Sequence, residues 1–250
     1  MQIKELTDYL NSYLDTTLFK DYAPNGLQVS GKETVRKVVL GVSASLSLID
    51  HAANVGADAV LVHHGWFWKG EAPEVVGMKR RRLAAVLAAD INLLAYHLPL
   101  DAHPDVGNNA ELGRLLGLTL EKRTGFYDLL SIGVPSEGPV SVGDFLDRIE
   151  AVLGRRPMTV GQSSGMVRRI GWCSGAAQDN LMLAAAEGCD FYLSGEISER
   201  TTYEAEENGI LYAAAGHHAT ERFGIQALGS HLKTVFPELE ISYFETGNPA

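Results

Sequence analysis

The 250-residue sequence predicts an α/β protein built from two related halves, each a mainly parallel or mixed sheet flanked by helices. Three observations carry that prediction. Apolar runs of strand length, such as VRKVVLGVS and ADAVLVHH, alternate with helical patterns along most of the chain, as buried sheets covered by helices require. The order of these runs in the first part recurs in the second. With 46% hydrophobic and 21% charged residues, the composition supports one large or two small cores.

The elements follow in order. Residues 2 to 14 place Ile3, Leu6, Leu10, Tyr13 and Leu14 on one helical face. Ala23-Pro24-Asn25-Gly26 holds the residues that tight turns prefer. A strand (VRKVVLGVS), a helix (SLIDHAANVG), a buried strand (ADAVLVHH), a basic helix (KRRRLAAVLAAD) and another strand (INLLAY) come next. Asn108 then reads as the N-cap of a further helix.

The second half replays this order. Val38 to His64 lies without a gap against Ile170 to Glu196, an offset of 132 residues that pairs Gly56 with Gly188 and Asp58 with Asp190. LLAYHLPLD then matches AAAGHHATE at an offset of 120, pairing His97 with His217 and Asp101 with Glu221. The shortfall falls in GWFWKGEAPEVVG, which reads as an inserted loop. The stretch from 122 to 140, rich in Gly, Pro and Ser, is the natural junction, so the expected halves are residues 1–125 and 126–250, with a metal site between them.

No stretch approaches the roughly 18 apolar residues of a membrane span, and the charged opening MQIKELTDYL lacks a signal-peptide core. The expected location is the cytoplasm, with no membrane partner. Cys173 and Cys189 each sit in an apolar run, where a thiol packs as a small hydrophobe. A formal net charge of −10 argues against long-range attraction to nucleic acid. The basic run at residues 79–82 reads as the wet face of a helix, with a local nucleic-acid contact left open.

The residues that can carry chemistry cluster at strand ends, where open α/β sheets bind ligands. His63 and His64 close VLVHH, His97 and Asp101 sit in YHLPLD, and His217 and Glu221 in GHHATE. Adjacent strand residues face opposite ways, so the two histidines can share a site only where their strand ends. His217 and Glu221, four apart, form a chelating pair if one helix includes both. Pro99 disfavours helix at residue 98, so a loop is expected to position His97 and Asp101. Imidazole and carboxylate ligands without thiolate suit zinc, iron, manganese, nickel or cobalt. Five such groups, His63, His64, Asp101, His217 and Glu221, exceed what one catalytic zinc takes and match two divalent ions sharing a carboxylate. His51, His103 and His231 read as hydrogen-bonded structural histidines. His97 and Glu196, which the repeat sets opposite His217 and His64, are candidates for proton transfer or for orienting the ligands.

DYAPNGLQV at 21–29, GADAVLVHHG at 56–65, HLPLDAHPDVGNNA at 97–110, SGEISE at 194–199 and AAGHHATE at 214–221 resemble the dinuclear-metal family named after the NGG-one-interacting factor three, also called GTP cyclohydrolase type 2-like or YbgI-like. The likeness spans nearly the whole chain. It implies the same five metal residues, with Glu221 bridging both ions, two α/β domains, and a toroidal homohexamer built from dimers. The sequence's own support for an oligomer is the aromatic loop Trp66-Phe67-Trp68, expected to be exposed. The resemblance also implies a GTP cyclohydrolase activity, although the chain has no G-x-x-x-x-G-K-[ST] phosphate loop. Two functions are therefore expected: a metal-dependent hydrolase of a nucleotide-like or other small anionic substrate, or a non-enzymatic metal scaffold regulating partner or nucleic-acid binding.

Overall fold

Alternating apolar side chains set the two faces of each sheet, and the helices that cover those faces follow from the sequence between strands. A computed structural model describes residues 1–162 and 164–250. The chain forms two compact units, Met1–Gly107 with Gly224–Gly247, and Asn108–Phe223 with Asn248–Ala250.

The first unit opens with α1 (Ile3–Tyr13), which buries Leu6 and Leu10. It continues through β1 (Gly26–Val29), β2 (Lys37–Ser43), α2 (Leu46–Asn54), β3 (Ala59–His64), α3 (Gly77–Ala88) and β4 (Asn92–Ala95). Ser45 caps α2 by accepting from the Leu48 amide at 3.3 Å. A short helix, α4 (Leu98–Ala102), then corrects the expectation of a loop between His97 and Asp101. Pro99 falls in its first turn, where a missing N–H breaks no helical hydrogen bond and the fixed φ suits the helix.

The second unit contains α5 (Asn108–Leu115), β5 (Leu118–Thr124), β6 (Leu130–Pro135), β7 (Val140–Ser141), α6 (Val142–Leu153), β8 (Met158–Val160), β9 (Met166–Val167), β10 (Ile170–Trp172), α7 (Leu181–Ala186), β11 (Phe191–Ser194), α8 (Glu199–Asn208) and β12 (Leu211–Ala214). Its six-stranded sheet runs β5-β6-β10-β11-β12-β8. β10, β11 and β12 are parallel, and the strands flanking them are antiparallel. Residues 122–140, the expected junction, hold the end of β5, all of β6 and the start of β7.

Helix α9 (His217–Val235) carries the chain back to the first unit, where β13 (Glu240–Tyr243) completes a five-stranded sheet in the order β1-β4-β3-β2-β13. All its pairings are parallel except β1 with β4. Val38, Leu40 and Leu61 pack on one face with Leu6, Leu10, Leu228 and Leu232, while Val39, Val60 and Val62 pack on the other with Leu48, Ile49 and Val86. Burial on both faces explains why these strands read as continuous apolar runs.

Within each unit the strand registers correspond. Val38 pairs with Ala59 and Ile170 with Phe191, both at the offset of 132. Asn92 opposite Ala59 answers to Leu211 opposite Phe191, an offset of 119. The histidine motifs differ by 120, so His217 leaves its strand one residue later than His97, after Gly216. Of the aromatic loop expected to be exposed, Phe67 is exposed, whereas Trp66 is buried and its Nε1–H donates to the Ala44 carbonyl at 2.8 Å. Among the described residues, no helix is long and apolar enough to cross a membrane.

Candidate metal-binding clusters

In the first unit the carboxyl ends of β2, β3 and β4 carry Ser43, His63 with His64, and His97. Although β3 runs through both histidines, their rings lie 4.4 Å apart. His63 is fully buried, and its Nδ1 lies 3.0 Å from the Tyr96 carbonyl. A carbonyl only accepts, so Nδ1 carries the hydrogen and, in the neutral ring, Nε2 carries the lone pair. That Nε2 faces Asp101 Oδ1 at 3.5 Å. Two electron-rich atoms in that position suit a shared cation. His64 Nδ1 meets Ser43 Oγ at 3.0 Å.

His97 is held more elaborately. Its Nδ1–H donates to Asp21 Oδ1 at 2.8 Å, and its backbone amide donates to Asn25 Oδ1 at 2.7 Å. Asp21 also accepts from the Leu98 amide at 3.0 Å, from Asn25 Nδ2 at 2.9 Å and from the Tyr22 amide. Burial opposes its charge, but the hydrogen bond and positive field of His97, with Asn25 and Tyr22, hold the carboxyl below its ordinary value. The His97 ring lies 5.2 Å from that of His63 and 5.7 Å from that of His64, with Trp68 edge-on at 5.0 Å.

In the second unit, α9 begins at His217, so the i,i+4 spacing does set His217 and Glu221 on one face. His217 Nε2 lies 3.0 Å from Glu221 Oε2, and Nδ1 lies 2.6 Å from Glu196 Oε1. Burial resists charge on this ring, but hydrogen bonds and Coulomb attraction from Glu221 and Glu196 outweigh it and push its pKa up to about 9. An imidazole between two carboxylates marks a place where positive charge is favoured, and the carboxylate–histidine pair is the arrangement that orients a metal-ligating ring. Glu196 therefore supports His217.

The loop after β10 packs beneath this pair. Asn109 Oδ1 accepts from the Ser174 amide at 2.8 Å, and Thr220 Oγ1 from the Gly175 amide at 3.0 Å. The Gly175 carbonyl accepts from the Gly195 and Glu196 amides at 2.9 and 3.2 Å. These contacts pin the first turn of α9 against the strand ends.

The sequence-selected residues thus lie near one another within each unit: His63, His64, His97 and Asp101 in the first, and Glu196, His217 and Glu221 in the second. Both sets are nitrogen and oxygen donors, which fit a borderline divalent ion. His103 and His231 bond Tyr13 and Tyr9 as structural histidines, and His51 stacks on Phe244. Sequence reasoning missed Asp21, Ser43, Gly175 and Thr220, which hydrogen-bond to or pack against the clustered residues. The polar pair Asp21 and Asn25 around Pro24 was the one available signal, and it reads first as a turn.

Residues 1–249 match the family model described as Duf34/NIF3 (NGG1p interacting factor 3). A Pseudomonas aeruginosa relative called GTP cyclohydrolase 1 type 2 homolog is 49% identical over 251 residues, spanning 99% of this chain and 98% of its own length. A relative of the same name from Escherichia coli K12 is 48% identical, with 100% of both chains covered. The solved structure of protein ybgI, described as of unknown function, is similar with a TM-score of 0.96, 48% sequence identity and 100% coverage of both chains.

Proposed function

The chain belongs to the Duf34/NIF3 family, and from that membership and its two ligand clusters we propose that it is a dinuclear metal-dependent hydrolase acting on a nucleotide-like or other small anionic substrate. In this reading His63, His64, Asp101, His217 and Glu221 would hold the ions, and Glu221 would be the carboxylate that serves both. The observation that carries the reading is the ordering of ligand rings by carbonyl or carboxylate acceptors, His63 by Tyr96 and His217 by Glu196. Zinc, iron, manganese, nickel and cobalt all suit these donors. Such ions, when bound, supply a water acidic enough to attack near neutral pH and polarise the electrophile.

The protein's own groups do the rest. Glu196 fixes the His217 tautomer by accepting from Nδ1. His97, tied to Asp21 through the same atom, presents Nε2 beside the other two rings. The relatives' name makes GTP the first substrate to try. The assembly we propose is a toroidal homohexamer in the cytoplasm.

Elemental analysis of protein purified without chelator is expected to give about two divalent ions per chain. A reproducible ratio of one or less removes the dinuclear reading. Turnover of the metal-reconstituted protein is then measured against GTP, other nucleotides and phosphate esters. Hydrolysis of one class supports the enzyme, whereas full metal occupancy without turnover of any favours a scaffold. Light scattering should return a mass near six copies of the 27.0 kDa chain, and a monomer would overturn the assembly.

A further inference from the structure

We propose that the first unit carries a binding site apart from the metal clusters, between α3 and the loop after β3, for a small monocarboxylate with an aromatic or branched aliphatic body. Trp66, Phe67, Met78 and Leu83 wall a cavity of about 270 Å³ there, and three charged side chains complete its lining. None of the clustered histidines or carboxylates lines it, so the site stands independently of the metal-binding reading.

The basic run at 79–82 divides in the fold. Arg80 and Arg81 are exposed, whereas Lys79 and Arg82 are half-buried and line the cavity with Glu71. Lys79 is answered within the chain: its Nζ donates to the Ala72 carbonyl at 2.8 Å, faces Glu71 Oε1 at 3.6 Å and lies 5.9 Å from the centre of the Phe67 ring. Arg82 has no such answer. Among the described residues it forms no ion pair, and its Nε is buried without a hydrogen-bond partner. A guanidinium whose donors go unmet beside apolar walls is costly unless an anion joins it. Glu71 and Lys79 offset each other, so the cavity keeps one uncompensated positive charge.

The walls are set before any ligand arrives. Gln28 clamps the Trp66 backbone twice, accepting from its amide at 2.7 Å and donating to its carbonyl at 3.1 Å. The indole N–H is spent on the Ala44 carbonyl, so the ring offers the cavity no donor. Phe67 meets Trp66 nearly at right angles, with ring centres 6.5 Å apart and planes at 79°. Its φ of +65° is a left-handed backbone that phenylalanine rarely adopts, a strain that collects at binding sites. A preformed apolar pocket with a single directed charge has the make-up of a small-ligand site, and its volume lies below the roughly 300 Å³ at which drug-sized pockets begin. One cation calls for a monoanion. The planar fork of Arg82 matches the two oxygens of a carboxylate, whereas the several charges of a nucleotide outnumber the cations present.

The test is equilibrium dialysis of the full chain, purified without chelator, against radiolabelled benzoate, with 3-methylbutanoate, benzamide and inorganic phosphate as competitors. One benzoate per chain is expected to bind saturably below about 10 mM. It should be displaced by 3-methylbutanoate, but not by benzamide, which lacks the charge, or by phosphate, which lacks the apolar body. Arg82→Gln should weaken binding at least tenfold, the loss expected for a hydrogen bond to a charged group, while Arg81→Gln leaves it unchanged. Should Arg82→Gln lose helical circular dichroism, Phe67→Ala replaces it, with a loss of about tenfold expected from the apolar contact removed. Stripping divalent ions with chelator should leave the binding in place. Absence of saturable binding, equal affinity in Arg82→Gln or its replacement, or equal competition by phosphate or benzamide overturns the proposal. Loss of binding on chelation assigns the benzoate to the metal ions and overturns it too.

Discussion

A Cβ at Gly175 would lie 2.1 Å from Glu221 Oε1 and 3.3 Å from His217 Nε2, and the residue adopts φ +66°. An alanine there would carry the left-handed backbone cost of about 1–2 kcal/mol and would also push the carboxylate away from its place beside His217. Gly188 has φ +76° with nothing within 4 Å of its would-be Cβ, so Gly188→Ala carries the first cost without the second. Gly175→Ala is therefore expected to lower divalent-metal content where Gly188→Ala does not, at similar losses of melting temperature. Equal metal content in the two variants would remove Gly175 from the site. At this scale the sequence exposed the donors but not their supports. His63, His64, Asp101, His217 and Glu221 announce themselves by chemical type at strand ends. Gly175 and Asp21 do not, because a glycine after a strand and an aspartate before Pro-Asn-Gly are ordinary turn residues, and only the folded chain shows what they press against or accept from.

One aspartate in each unit ties the start of a parallel strand pair. Asp58 Oδ2 accepts from the Arg36 and Lys37 amides at 2.9 and 3.0 Å, and Asp190 accepts from the Arg168 and Arg169 amides at 3.0 to 3.2 Å. The partners are spaced by the same 132 residues as the aspartates, so this alignment, made on sequence, extends to hydrogen bonds. Asp58 also meets Lys32 Nζ at 2.8 Å. Burial opposes its ionisation, but the Lys32 bond and the two amides outweigh it and hold the carboxyl below its ordinary value. Because the folded value is the lower one, the contribution is complete above the unfolded aspartate pKa of about 3.9 and is lost as pH falls below it. Asp58→Asn is expected to cost about 1.5–3 kcal/mol near neutral pH and to flatten the acid limb of stability measured by urea unfolding. A variant whose loss is the same at pH 3 and pH 7 would show that the charge is not the cause. Element order in the first unit was legible because each strand is apolar on both faces and each helix has its own period. Helix α4 was not, because a five-residue helix with proline in its first turn has too few residues to show a period.

The first unit closes only when the chain returns to it. Residues 108–223 belong to the other unit, and α9 from Gly224 onward and β13 then supply the first unit's last helical segment and its edge strand. Nothing local in ELEISYFE states that Glu240 to Tyr243 pair with Lys37 to Leu40, some two hundred residues earlier. Pairing over that separation is set by the topology of the sheet, and local periodicity carries no trace of it. Leu239 and Ile241 are 4% and 6% exposed and join the core containing Leu6, Leu40 and Leu228. The clusters around Phe145, Ile170 and Phe191 and around Ile132, Tyr192 and Tyr212 draw on the second unit alone. Truncating Leu239 and Ile241 to alanine costs about 2–5 kcal/mol at each buried site, a large share of the about 5–15 kcal/mol that holds a domain folded. Because the lost contacts lie in one core, the loss is expected to be local. In native-state hydrogen exchange of the double variant, the amides of β2 and β3 should lose protection by several orders of magnitude while those of β10 and β11 keep most of theirs. Equal loss in both sheets would mean that the two cores unfold as one cooperative body.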